Sequence, residues 1–335
     1  MKLKEQMELI SKDYSLGSNI KNMCVTAQKY LVEKDPNNIK YINNPTNEII
    51  KYCYEKELAS MQYVKNIPEN IQIDMLKKSY SNFKLINNPT ENVIQKAVSF
   101  NAFNIKLVNN PSSATQIIAI ERNIESIVDM ELSQEAQSYI VEHHLVNYPR
   151  IKNPTEQTKM ELVKKDGFSV KYINDPSEKI QLAAVENNTL SIANIKNPTL
   201  KVQLLAVKKN PYSIRYIRKP SEEVQLAAVK LNKNVVQYIK YPTASVQKYV
   251  IDKDYRLISK INMPDYESQK IAIKKDIRSI NLIKEDDLDM DINAWFTSAF
   301  KRAKRENQLK IYGVLNENNK KRFEKYIKPE KKNRK

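Results

Sequence analysis

The sequence predicts an all-α, superhelical solenoid of about twelve helix-pair repeats, with a short second helix in each repeat and a C-terminal helical cap. Three observations carry this. An Asn-Pro-Ser/Thr signal returns about every 22 residues, and the prolines Pro154, Pro176, Pro198, Pro220, Pro242 and Pro264 are spaced by 22 throughout. With the proline as position 0, positions 9, 16 and 19 stay apolar through twelve units beginning at Met23; position 9 runs, for example, Val163, Val185, Val207, Val229, Ile251. Only three glycines occur, Gly17, Gly167 and Gly313, too few for hairpins that need positive φ. Self-similarity at this period marks stacked units, none of which can bury its apolar face alone.

Inside a unit, positions 4, 8 and 9 lie on one helix face. The preceding Asn at position 21 is expected to cap that helix, with Pro at its first turn. Asn88-Pro89-Thr90-Glu91 and Asn153-Pro154-Thr155-Glu156 add a Glu expected at N3, as in a capping box. Polar residues near position 12 (Asp35, Asn101, Asn123, Asn188, Asn210, Asn232) end the first helix and cap a second over positions 13 to 20, about two turns long and partly 3-10. Neither helix is stable alone at that length. Twelve layers at about 8–10 Å each predict a right-handed rod or arc on the order of 100 Å long.

Segments such as Asn197-Pro198 to Val207, and Pro220-Ser221-Glu222-Glu223-Val224-Gln225-Leu226-Ala227-Ala228-Val229, resemble short α-helical repeats of bacterial, phage and giant-virus proteins of unknown function. They are also similar to leucine-rich-repeat variants and HEAT-like repeats. The resemblance implies an architecture and no activity. It covers about residues 23–285, the repeats; the residues outside it read as an N-terminal helical cap (1–22), C-terminal capping helices (286–319) and a basic tail (320–335).

Composition narrows the class of partner. Net charge is +17 over 335 residues, and it is unevenly spread. Residues 301–335 hold 14 Lys/Arg against 4 Asp/Glu, residues 201–250 hold 10 against 2, and residues 101–150 hold 3 against 6. Local positive charge favours an anionic partner, either nucleic acid or an acidic protein face. No apolar run has membrane-spanning length, and the start Met1-Lys2-Leu3-Lys4 lacks a signal-peptide core. A cytoplasmic protein with no membrane partner is the expectation. Cys24 and Cys53 read as free thiols on the inward arc rather than as a disulfide. Enrichment in Lys, Asn, Ile and Tyr points to an AT-rich genome: a phage, a giant virus or a low-GC bacterium. If the source is viral, the compartment is the host cytoplasm.

Three columns are candidate functional features. Position 5 holds Gln181, Gln203, Gln225, Gln247 and Gln269. It falls within the buried arc, so a structural ladder bonding helix-end carbonyls outweighs a ligand-reading column. Positions 17 and 20 hold Lys171, Lys196, Arg215, Arg218 and Lys240. As i, i+3 neighbours on the second helix they would form one basic face, joined by Lys219 and Lys233; solvated charge complementing helix C-termini is the plain alternative. Tyr172, Tyr216 and Tyr238 at position 18 lie beside them, as stacking groups or as half-buried packing.

Catalytic signals are poor. His143 and His144, the only histidines, diverge on a helix and cannot share a metal. The acidic run Glu285 to Asp291 lacks the glycine and terminal Glu of a calcium loop and reads as the start of the next helix. That helix is expected to bury Trp295, Phe296, Ala299 and Phe300 as a cap. The chain therefore reads as a non-enzymatic scaffold or adaptor with no cofactor, metal or small-molecule ligand. A protein partner is favoured, as for a viral or phage host-interaction factor, and nonspecific nucleic-acid binding is the alternative. Partner identity and oligomeric state are not readable from the sequence.

Overall fold

The computed structural model describes residues 1–327; the end of the expected basic tail, 328–335, lies outside the described residues. Every regular element among the described residues is helical. The chain is an all-α repeat solenoid that divides into two compact units, Met1–Thr158 and Lys159 onward.

Thirteen helix pairs follow one another, from Leu3–Lys12 with Tyr14–Asn19 to Tyr266–Lys275 with Ile277–Leu282. Each joins a ten-residue α-helix to a 3-10 helix of six residues. The exception, Ile124–Ile127, has four residues and lies in the one unit that is a residue short, from Pro111 to Leu132. The second helix is thus wholly 3-10 and stops at position 18, two residues before the expected end.

Residues 1–22, expected as a cap, have the build of a repeat. The helix Leu3–Lys12 is followed by Asp13, which caps Tyr14–Asn19 by accepting from Ser15 N–H. The apolar column hid this unit because position 16 is glycine. A Cβ on Gly17 would lie 3.0 Å from the Tyr41 carbonyl and 3.1 Å from Leu31 Cδ1, so no apolar side chain fits there.

Helix starts differ from the expectation by two residues. The cap is the Ser/Thr after the proline position: Thr90, Ser112 and Ser221, and Ser133 after Leu132, accept from the N–H three residues on. Asn at position 21 does not cap. Asn88, Asn110, Asn153 and Asp175 instead take φ near 50° (50°, 51°, 50° and 46°), a left-handed turn that short polar side chains tolerate. Glu91 is consequently the first helical residue, not N3, and its carboxylate accepts from Ser112 Oγ and Thr115 Oγ1 of the following repeat.

Second-helix caps match the sequence reading. Asp35, Asn101, Asn123, Asn188, Asn210 and Asn232 each accept the N–H two residues on. Asp254 does the same for Tyr255–Lys260 and also binds the Arg256 guanidinium (2.9 and 3.1 Å) and Lys233 Nζ (3.2 Å). These bonds, Arg256 foremost, hold its carboxyl well below the ordinary carboxylate range. The fold therefore favours the ionised form. Its stabilisation is present above the ordinary carboxylate pKa and is lost as pH falls through and below it. Asp254→Asn keeps the capping oxygen and removes the charge. The gap in melting temperature between wild type and this variant should narrow from about pH 7 to about pH 3; a constant gap would show that the charge contributes nothing.

Core columns are filled as expected. Ile192, Ile214, Val236 and Ile258 at position 16 and Val185, Val207, Val229 and Ile251 at position 9 are all buried. Both cysteines are free, Cys53 buried and Cys24 half-buried; burial pushes the Cys53 thiol up to about 12, with Asp35 adding to the effect. Gly167 marks the tightest approach. A Cβ there would meet the Ala184 carbonyl at 2.5 Å and Ser191 Oγ at 2.7 Å. Gly167→Ala should cost about 1–3 kcal/mol, read as a lower denaturant midpoint.

The C-terminal segment corrects two expectations. In Met290–Arg302 the buried residues are Ile292, Phe296 and Phe300; Trp295 is half-buried and Ala299 exposed. Asp289 caps this helix by accepting from the N–H groups of Asp291 and Ile292, so the acidic run does mark a helix start. Glu317–Phe323, partly assigned to the tail, is packed: Phe323 is fully buried against Phe296 (4.8 Å between ring centroids) and Phe300 (5.7 Å). Asn281 of the last repeat donates to the Val314 carbonyl and accepts from Asn316 N–H and Asn319 Nδ2.

Candidate binding surface

The glutamine column forms a backbone clamp. Gln225 Nε2 donates to the Pro220 carbonyl of its own repeat (3.0 Å) and to the Tyr241 carbonyl of the next loop (3.3 Å), while its Oε1 accepts from Thr243 N–H (3.1 Å). Gln181 and Gln269 make the corresponding three bonds, with Oε1 on the N–H of Thr199 and Asp289; Gln247 bonds the Pro242 carbonyl and the Asp265 N–H. Gln6 follows the same scheme with Met1, Asn22 and Cys24. The partners are loop carbonyls and N-cap amides, not helix-end carbonyls. Each Gln thus satisfies, from the preceding repeat, the amide that a capping-box Glu satisfies within one helix. Gln203 differs: it is half-buried, bonds only the Pro198 carbonyl, and its Oε1 has no partner.

The basic residues do not form the face expected from i, i+3 spacing, because position 20 lies beyond the short helix. Lys171 and Arg215 are on the helices Gly167–Tyr172 and Pro211–Tyr216, while Lys196, Arg218, Lys219 and Lys240 sit on inter-repeat loops. All six are exposed. Lys233 is removed from the group: it opens Lys233–Tyr238, is half-buried, and pairs with Asp254 at 3.2 Å.

What replaces the expected face is a pairing across repeats. Lys171 meets Lys196 of the following repeat in a groove of about 520 Å³ whose rim also carries Asn174, Asp175, Asn194 and Asn197. The unit Met1–Thr158 repeats the arrangement in the same register. There Lys40 and Lys65 line a groove of about 360 Å³ with Asn43, Asn44, Tyr63 and Asn66.

Aromatic rings bracket the position-17 cations. Arg215 lies 5.3 Å from the ring centroids of both Tyr216 and Tyr238. Lys40 lies 5.0 Å from Tyr41 and 5.8 Å from Tyr63, and Lys171 lies 4.8 Å from Tyr172. These are cation–π distances. The rings stay open to solvent: Tyr172, Tyr216 and Tyr238 are 44, 41 and 38% exposed.

Position 14 was missed in the sequence. Phe168, Leu190 and Tyr212 are 38, 40 and 42% exposed, and Tyr212 packs edge-on to Tyr238 at 6.0 Å. The signal was an apolar run at one position (Val146, Phe168, Leu190, Tyr212) that turns polar at Asn234. A core column does not turn polar; this one does, which marks a surface.

Elsewhere chemistry is sparse. His143 and His144 pack around Tyr139, with ring centroids at 4.4 and 5.9 Å. Among the described residues no cluster of three His, Cys, Asp or Glu could hold a metal, and no helix is long and apolar enough to cross a membrane. No protein-family model matches the chain, and no curated protein or solved structure matches it significantly.

Proposed function

We propose that this chain is a non-enzymatic helical-repeat scaffold or adaptor that binds a protein partner through the short-helix face of its second compact unit. The observation that carries the reading is the exposed cluster of Tyr212, Arg215, Tyr216 and Tyr238, in which the arginine is held between two rings. Tyrosine and arginine dominate protein-interface hot spots. Holding rings and guanidinium together in advance lowers the ordering cost of association. Phe168 and Leu190 extend the face with apolar area, and the loop cations give it a charged rim.

The test is co-purification from the native host with the full chain as bait. Tyr238→Ala and Arg215→Ala should each remove a stoichiometric protein partner while the melting temperature stays near wild type. Retention of the partner by both variants would refute the reading. Nucleic-acid binding is the second reading, supported by the exposed Arg218, Lys219 and Lys240 on successive loops. It requires a gel shift at low salt that weakens steeply as salt rises.

A further inference from the structure

We propose that the short-helix face of the second compact unit receives an extended acidic peptide, whose carboxylates enter paired-cation sites at Lys171/Lys196 and Arg215/Lys240. This rests on the reading that a protein partner uses this face, and it names the partner's chemistry.

The site is built by the repeat register. A position-17 cation on one short helix and a position-20 cation on the next loop share a groove at Lys171/Lys196, and the other compact unit makes the same groove from Lys40/Lys65. Arg215 and Lys240 occupy the same two positions. Among the described residues no carboxylate lies within ion-pair distance of Lys171, Lys196, Arg215 or Lys240, whereas Lys201, Lys209 and Lys233 of the same stretch are paired with Glu178, Glu186 and Asp254. The cations at positions 17 and 20 are thus left free to meet an external carboxylate.

The surroundings favour a peptide over a polynucleotide. Asp175 lines the first groove together with Lys171 and Lys196, a carboxylate that disfavours a continuous run of phosphates there. The side-chain amides of Asn174, Asn194 and Asn197 on that rim offer both donors and acceptors, as a peptide backbone requires. Leu190 and Tyr212 belong to the repeats that supply Lys196 and Arg215, and both are exposed; they suit an apolar side chain between the acids.

The spacing sets the length of the motif. Lys171 and Arg215 are two repeats apart, which is about 16–20 Å at about 8–10 Å per helix layer. An extended chain rises about 3.3 Å per residue. The two acidic residues should therefore stand about five or six positions apart.

Fluorescence anisotropy on the full chain tests this with labelled peptides. One carries two glutamates five residues apart with a leucine between; a second has glutamine in their place; a third has the glutamates adjacent. A single-stranded oligonucleotide is the fourth probe. The first peptide should bind tightest, and the glutamine peptide at least about tenfold more weakly. Lys171→Glu and Arg215→Glu should each weaken the first peptide by about tenfold or more, with unchanged melting temperature. Lys248→Glu, the same charge change on an exposed residue of the long helix Ala244–Lys253, should leave binding intact. The proposal is overturned if no peptide binds, if Lys248→Glu is as harmful as Lys171→Glu, or if glutamine and glutamate peptides bind alike. In that last case Tyr238→Ala distinguishes the two claims: lost binding leaves the protein-binding face standing without acid recognition. Binding of the oligonucleotide alone overturns both.

Discussion

Phe323→Ala is expected to destabilise the C-terminal end of the protein by about 3–5 kcal/mol. The ring is fully buried and closes a cluster with Phe296 and Phe300. Phe296 and Phe300 themselves stack at 6.4 Å between ring centroids. A solenoid's terminal repeat has no following neighbour, so its apolar face depends on the cap. Loss of the ring should expose Ile292, Phe296 and the last helix pair first. Amide hydrogen exchange within Met290–Arg302 and Tyr266–Lys275 should accelerate well before exchange in Glu178–Asn187. Uniform acceleration across the second unit would show a single cooperative block. Unchanged exchange would show that residues beyond 316 are dispensable to the fold.

Gln225→Ala should lower stability by about 2–4 kcal/mol, since it leaves the Thr243 N–H without its acceptor and two carbonyls without their donor. Gln203→Ala should cost only about 1 kcal/mol, because that side chain makes one bond and its oxygen is already without a partner. The contrast isolates the clamp from generic effects of truncating glutamine on a helix. Thermal melts of the two variants give the comparison. Partner binding should survive both changes wherever the fold is intact. Equal losses would mean that the bond from Gln225 to the next repeat's N-cap amide adds nothing.

Several features were legible because they depend on local periodicity. A 22-residue return of apolar positions can be satisfied only by stacked units, and Asp or Asn at position 12 has one obvious use as a cap. The buried glutamines followed from their angular position between positions 8 and 9. Other features were not legible. Asn-Pro-Thr at a helix start is compatible with a cap at either the Asn or the Thr; the left-handed turn at Asn88, Asn110 and Asn153 leaves the cap to the residue after the proline. Phe323 sits among Lys320, Lys321, Arg322 and Lys325, and charge concealed the one residue there that packs.

The sequence by itself determined the repeat, its helical nature, its core columns and the caps of its short helices, because each is fixed by residues within one turn or one period. Tertiary structure decided where the short helix stops and therefore which cations meet. Lys171 and Lys196 are 25 residues apart and lie on different repeats, and no periodicity within one helix relates them. Their proximity is set by how one repeat stacks on the next. That stacking is governed by buried volume and by inter-repeat bonds such as those of the Asn187 side chain to the Lys164 carbonyl and Gly167 N–H, not by the charged residues themselves.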